Sequence, residues 1–194
     1  MILADCPWQF ESYSGGGVPQ RAAAQHYQTL SLDRLELLPV AKLAAPDCAL
    51  FMWGISSHLP QVLELMDAWG FNFSGKAFAW AKTTKNELDK SIDRCQRGEH
   101  WGTAELDHWH MGQGYVTRRN TEDCWLATRG APKVLDHGVR DLLVSPVREH
   151  SRKPAEQYER IERLFAGPYC ELFGRAERPG WASWGDQIGK FSES

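Results

Sequence analysis

Three observations predict an α/β fold, with a mainly parallel sheet flanked by helices. Short apolar runs of strand length alternate with amphipathic stretches of helical spacing along the 194 residues. The runs are apolar at consecutive positions, as in strands buried on both faces. The count, five or six strands with at least three helices, suits one domain of this length.

Met1 to Ala4 (MILA) reads as a buried strand that stops at the Pro turn of Asp5-Cys6-Pro7-Trp8. Gly15-Gly16-Gly17 with Pro19 makes a loop. Ser31 is an N-cap for a helix with Leu32, Leu35 and Leu38 on one face. Ala49 to Trp53 is the second buried strand, and Ser57 follows as a cap. Leu59, Val62, Leu63, Met66 and Trp69 share the next helical face, which Gly70 ends. Phe71 to Lys82 is β-rich. Residues 83–114 form a polar insertion, His- and Trp-rich and long for a connection, on the substrate side of a single domain covering 1–194. Asp123 to Thr128 is a strand closed by Arg129-Gly130, and Val139 to Val147 holds another. Pro154 occupies helix N1, with Tyr158, Ile161, Leu164 and Phe165 at helical spacing behind it and Gly167-Pro168 as the stop. Tyr169 to Phe173 is a further strand, and the tail carries Trp181 and Trp184.

Composition excludes several classes. A chain with 42% apolar, 11% aromatic and 24% charged residues is neither disordered nor collagen-like. Its longest apolar runs, such as Cys48 to Trp53, fall far short of the roughly 20 residues a bilayer requires. The start MILADCPW lacks a basic n-region, so it is not a secretory signal. The 22 Lys and Arg against 25 Asp and Glu leave a net charge of −3, so nucleic-acid binding must come from a local patch. Five widely spaced cysteines without a CxxC read as reduced thiols of a cytoplasmic protein.

Chemistry concentrates at Asp5-Cys6-Pro7-Trp8, at the C-terminal end of the first strand, where ligands bind in open α/β sheets. An acid, a residue supplying a carbonyl, a proline and an aromatic suit one task. The exocyclic amine of a purine is a poor nucleophile, and its N–H groups must be aimed at fixed acceptors. Asp5 and the Cys6 carbonyl supply two acceptors, Pro7 locks the turn, and Trp8 offers a flat face. An acid before a Pro turn is also a common strand ending, with the indole in the core; on these four residues alone that reading is the stronger.

The rest of the chain shifts the balance. HYQTLSLDRL from His26, LFMW from Leu50, ELMDAWGF from Glu64, FAWAK from Phe78 and GQGYVTRR from Gly112 follow the first motif in order. LATRG from Leu126, REHSRKP from Arg148, ERL from Glu162, ELFGR from Glu171 and PGWASWGDQ from Pro179 complete the series. Together they resemble the MT-A70 family of adenine N6-methyltransferases over nearly the whole chain. The resemblance implies a class I, Rossmann-like methyltransferase fold with permuted motif order and S-adenosyl-L-methionine as cofactor. It implies an amine site at Asp5, Cys6, Pro7 and Trp8, and cofactor contacts from Asp5, Lys153, Arg175, Asp186 and Gln187. Cys6 stands where the family has the first Pro of DPPW, which costs rigidity but keeps the carbonyl. Asp186 replaces the usual Asn, and can accept but not donate.

Arg148, His150, Arg152 and Lys153 against one acid, Glu149, form a basic loop that the resemblance sets beside the active site. With Arg118 and Arg119 these arginines and His150 are the candidate nucleic-acid contacts. Lys82 to Arg97, where acids interleave, reads as a solvated face. Cys95, His100, His108 and His110 lack the tight spacing of a metal site, so no metal is expected. Trp101 and Trp109 either stack on bases or pin their loop to the core. The Gly15-Gly16-Gly17 loop is equally a lid or a linker. The expected function is methyl transfer to N6 of adenine in DNA, on a flipped-out or unpaired base. RNA as the substrate is one alternative, and a non-catalytic nucleic-acid-binding partner subunit is another. Family members often pair, so a homodimer is among the partners the resemblance allows, while the sequence itself gives no oligomeric state.

Overall fold

The computed structural model describes residues 1–9, 29–98, 109–110, 112, 116–149 and 152–190. Seven strands form one sheet in the order β5-β3-β4-β2-β1-β6-β7. They are β1 (Ile2–Ala4), β2 (Cys48–Gly54), β3 (Asn72–Thr83), β4 (Thr121–Arg129), β5 (Leu142–Pro146), β6 (Tyr169–Leu172) and β7 (Trp181–Trp184). β4 runs antiparallel to both its neighbours, and every other pairing is parallel. Five α-helices, α1 (Leu32–Glu36), α2 (Val40–Leu43), α3 (Leu59–Ala68), α4 (Lys85–Gln96) and α5 (Glu156–Leu164), and a 3-10 turn at Ser56–His58 complete the described elements.

The central strands are buried on both faces, as their unbroken apolar runs require. Cys48, Leu50 and Met52 face a core with Trp8, Leu35, Val62, Leu65, Met66 and Trp69. Ala49, Phe51 and Trp53 face a second core with Phe78, Trp80, Ile161, Phe165 and Trp181. Tryptophans build much of both, and two of them are anchored by their N–H groups: Trp69 donates to the Leu35 carbonyl at 3.0 Å and Trp80 to that of Ser145 at 3.1 Å.

Several local expectations shift. Ser31 sits at the N-cap of α1 but makes no side-chain cap bond. Ser57 lies inside a 3-10 turn, Ser56–His58, and does not cap α3. Leu65, absent from the expected face of α3, is buried, and Gly70 ends that helix at φ +79. Pro154 precedes the N-cap Ala155 of α5 and does not occupy N1. The first part of the 83–114 insertion is helical, α4 having been hidden by its charged composition. β7 is a strand where only two tryptophans stood out.

The site follows from strand direction. β1 pairs β2 on one side and β6 on the other, both parallel, and the chain reaches β6 only after building the far half of the sheet. The C-terminal tip of β1 is therefore a topological switch point, where loops diverge and leave a crevice. Because β4 is antiparallel, its N-terminal residues Thr121 and Glu122 lie at this same edge.

Candidate active site

Asp5 follows β1 directly. Leu3 packs on the α5 side of the sheet, and strand alternation brings Asp5 to that same side. The strand ends in a tight turn around Pro7, in which the Trp8 N–H donates to the Cys6 carbonyl at 2.9 Å. The Pro7 carbonyl accepts from Leu30 N at 2.8 Å. Cys6 and Trp8 are both buried, and the Trp8 indole N–H donates to the Trp53 carbonyl at 3.5 Å. The indole thus packs in the core and braces the turn. Burial, reinforced by Asp5, raises the Cys6 thiol well above its usual range, so the residue is neutral.

An alternating row of charges fixes the Asp5 carboxylate. Lys153 Nζ donates to Asp5 Oδ1 at 2.9 Å and to Oδ2 at 3.0 Å. The same ammonium lies 3.4 Å from Glu122 Oε1, and Glu122 Oε2 lies 2.8 Å from Lys82 Nζ. Arg175 Nη2 stands 3.8 Å from Asp5 Oδ2. Burial alone would drive Lys153 toward the neutral amine, but Asp5 and Glu122 outweigh it and its pKa lies above the ordinary lysine value. Burial likewise opposes the Glu122 charge, and Lys153 and Lys82 overcome it, so its pKa is lowered. Trp53 sits beside this row: its ring lies 5.5 Å from Lys153 Nζ, and its N–H donates to Gln157 Oε1 at 2.6 Å.

A cleft of about 550 Å³, counting its open mouth, adjoins Asp5 between β1, β6 and the start of α5. Lys153, Arg148, Arg152, Tyr158, Glu171, Phe173 and Arg175 are on its wall. Arg148 also clamps the loop by donating to the Lys153 carbonyl at 2.5 Å. Phe173 holds the left-handed φ of 63, and Gly174 and Gly185 bring two backbones together so closely that a Cβ on Gly185 would lie 2.4 Å from the Gly174 carbonyl. The turn after β6 is thereby bent toward the cleft. Its acids and bases together can receive a small molecule carrying both an ammonium and a carboxylate.

Of the residues expected at the site, Asp5, Lys153 and Arg175 meet within hydrogen-bonding or ion-pair reach, and Arg148 and Arg152 line the same cleft. Asp186 and Gln187 follow β7 at the same sheet edge but are not on the cleft wall; Asp186 is exposed, and Gln187 accepts from Lys190 at 2.9 Å. Arg118 is exposed, and Arg119 pairs with Gly112. Burial and the Arg119 charge together lower the pKa of His58, which sets Arg119 near the turn after β2. His150, the Gly15-Gly16-Gly17 loop, Trp101, His100 and His108 lie outside the described residues, as does the Cys95 side chain. Lys82 belongs to the charge row and not to a solvated face. Glu122, Gln157, Tyr158 and Glu171 are functional candidates that sequence reasoning did not single out.

Glu171 has a measurable cost. Burial pushes its carboxyl from the usual 4.5 up to about 7. The folded state therefore favours the protonated acid, and that contribution is lost as pH rises through about 7. Glu171→Gln keeps the shape without the charge. It is expected to stabilise the protein by about 3 kcal/mol near pH 8 and by less than about 1 kcal/mol near pH 5. Urea melts at the two pH values check this, and equal effects at both would exclude the cause given.

Comparison with known proteins places this geometry. The MT-A70 family model matches residues 1–187. The human N(6)-adenine-specific methyltransferase METTL4 is 30% identical over 98% of this chain and 38% of its own length. The human N(6)-adenosine-methyltransferase catalytic subunit METTL3 is 30% identical over 97% of the chain and 28% of its own. The type II methyltransferase M.MunI of a Mycoplasma species is 29% identical over 97% of the chain and 77% of its own length. The chain thus spans well under half of the two human relatives. Among the described residues, no helix is long and apolar enough to cross a membrane. With the family model running from the first strand through Gln187, and a mainly parallel seven-stranded sheet presenting the acid of its first motif at a switch point, this chain belongs to the MT-A70 family.

Proposed function

We propose that the protein transfers a methyl group from S-adenosyl-L-methionine to N6 of adenine in DNA. One observation carries the reading: Asp5, at the tip of the central strand, is held by Lys153 beside a cleft whose chemistry suits an amino-acid zwitterion. That donor set fits the cofactor, with carboxylates for its ammonium and guanidinium groups for its carboxylate. Lys153, Arg175 and the Asp5 region would hold it, and its part in the chemistry is an electrophilic sulfonium methyl.

The protein's own groups do the rest. An Asp5 carboxylate oxygen accepts an N–H of the amine and stabilises the positive charge that grows on the nitrogen. The Cys6 carbonyl has one lone pair engaged by Trp8 N–H and one left as the second acceptor. Lys153 fixes the Asp5 rotamer through its two hydrogen bonds. Arg148 and Arg152 of the cleft wall, together with Arg118 and Arg119, supply cations for a phosphate backbone. DNA is favoured because the relative whose length the chain mostly covers is a type II methyltransferase, a term for DNA-modifying enzymes.

The test is transfer of labelled methyl to paired and unpaired DNA and RNA of one sequence, with nucleoside mass spectrometry of the product. N6-methyladenine in DNA is expected, with unpaired sites preferred because extruding a paired base costs a few kcal/mol. Label in RNA alone would reassign the substrate. Cofactor binding without any transfer would make this a non-catalytic partner subunit.

A further inference from the structure

Among the described residues, Phe173 is the one non-glycine at a left-handed φ. A bulky aromatic is strained there, and such a residue persists only where its surroundings over-determine it. The surroundings come from the end of β7. The Gly174 N–H donates to the Trp184 carbonyl at 3.0 Å, which ties the turn after β6 to that strand end. Gly185 closes on the same turn: a Cβ there would stand 3.0 Å from the Phe173 carbonyl carbon, a backbone atom that cannot swing aside. The Trp184 indole then meets the Phe173 ring edge-on, with centroids 5.5 Å apart. On its inner side Phe173 packs against the core that holds Trp8 and Leu35. The phenyl ring is thus gripped between that core and the indole.

Trp184 has no comparable hold on anything else. Its neighbour on the strand, Trp181, is buried and donates to Glu162 Oε1 at 2.7 Å. Trp184 is 52% exposed, so it adds little to a core. What it covers is the outer side of one ring. That ring matters because the turn carries Phe173, Arg175 and Ala176 onto the cleft wall, with Arg175 reaching to 3.8 Å from Asp5 Oδ2. Trp184 itself is not on the wall.

Resting on the function proposed above, we infer that Trp184 is a positioning residue for cofactor binding, which it serves by holding Phe173 in the left-handed conformation that shapes the cleft wall. Without the indole, Phe173 is free to relax to an ordinary negative φ, and its ring and Arg175 turn away from the cleft together. The indole acts through the fraction of molecules whose turn is competent, and apparent affinity falls in proportion to that fraction.

Calorimetric titration with S-adenosylhomocysteine tests this, with the cofactor KM and the transfer rate at saturating cofactor measured beside it. Trp184→Ala is expected to weaken S-adenosylhomocysteine about tenfold and to raise the KM by about the same factor, while the saturated rate stays within about twofold. Trp184→Phe keeps an aromatic edge against Phe173 and is expected to recover most of the affinity. A double-variant cycle carries the diagnosis. Glycine adopts a left-handed φ without cost, so in a Phe173→Gly background nothing is left for the indole to hold. There Trp184→Ala is expected to cost less than about twofold further. An equal loss in both backgrounds would show that the indole acts without Phe173 and overturns the inference, and so does a Trp184→Ala protein that binds normally. A Trp184→Ala chain without a thermal transition would make Trp184 a support of the fold, which overturns it too. An unaltered protein that binds no S-adenosylhomocysteine would remove the proposed function, and this inference with it.

Discussion

Replacing Asp5 by asparagine is expected to cut methyl transfer by about a thousandfold or more while the protein stays folded. The argument is one of polarity. Asp5 presents two equivalent acceptors, and both are already turned to Lys153. An asparagine in this place must aim its single oxygen at the Lys153 ammonium, because an amide N–H₂ there would face a cation. The N–H₂ is then left toward the substrate amine, donor against donor. The variant thus loses the acceptor and also installs a repulsive contact at the reacting nitrogen. Folding survives because Glu122 still neutralises Lys153. Single-turnover transfer to an adenine-containing DNA oligonucleotide, measured beside a thermal melt, separates the two effects. A variant that turns over near the normal rate would remove Asp5 from the chemistry.

Asp5 was legible in the sequence because everything that defines it is local: an apolar strand, an acid and a proline. Lys153 and Arg175 became legible only through the resemblance, since no spacing rule connects positions 5, 153 and 175. Glu122 shows what a linear reading loses. It belongs to a strand read as starting at Asp123, and it shares strand parity with Cys124, which is buried. A carboxylate at a buried parity was the available signal, masked by the acid at the next position. Lys82 was lost for a related reason: it ends a β-rich run, and the charges that follow it are helical and obscured the difference. Glu171 sat in a recognised block, but its importance comes from what is missing around it. An unpaired acid is a property of three dimensions that neighbouring residues do not encode. The strands of the centre were predicted well because both faces are buried. β7 was not, because four residues at a sheet edge carry too little pattern.

The charge row makes a second large effect testable, this time on stability. Lys153→Met is expected to cost about 3 kcal/mol near pH 8, the low end for a broken buried pair because Lys82 and Arg175 remain beside the two acids. Its pH dependence carries the diagnosis. In the unaltered protein Glu122 has a lowered pKa, so its contribution is present above the ordinary carboxylate range and is lost as pH falls through the folded-state value. Without Lys153, Glu122 keeps one cation and its pKa must rise. Protonation near pH 5 then relieves the variant more than the unaltered protein, and the gap between them narrows. Urea melts across this range report that gap. Adding Glu122→Gln to Lys153→Met removes the stranded charge together with its lost partner, so the double variant is expected to recover part of the loss, and the two substitutions will not add. A deficit that is the same at every pH and simply sums in the double variant would show that Lys153 supports the fold by packing on Trp53, and that the row of charges is not what holds Asp5 in place.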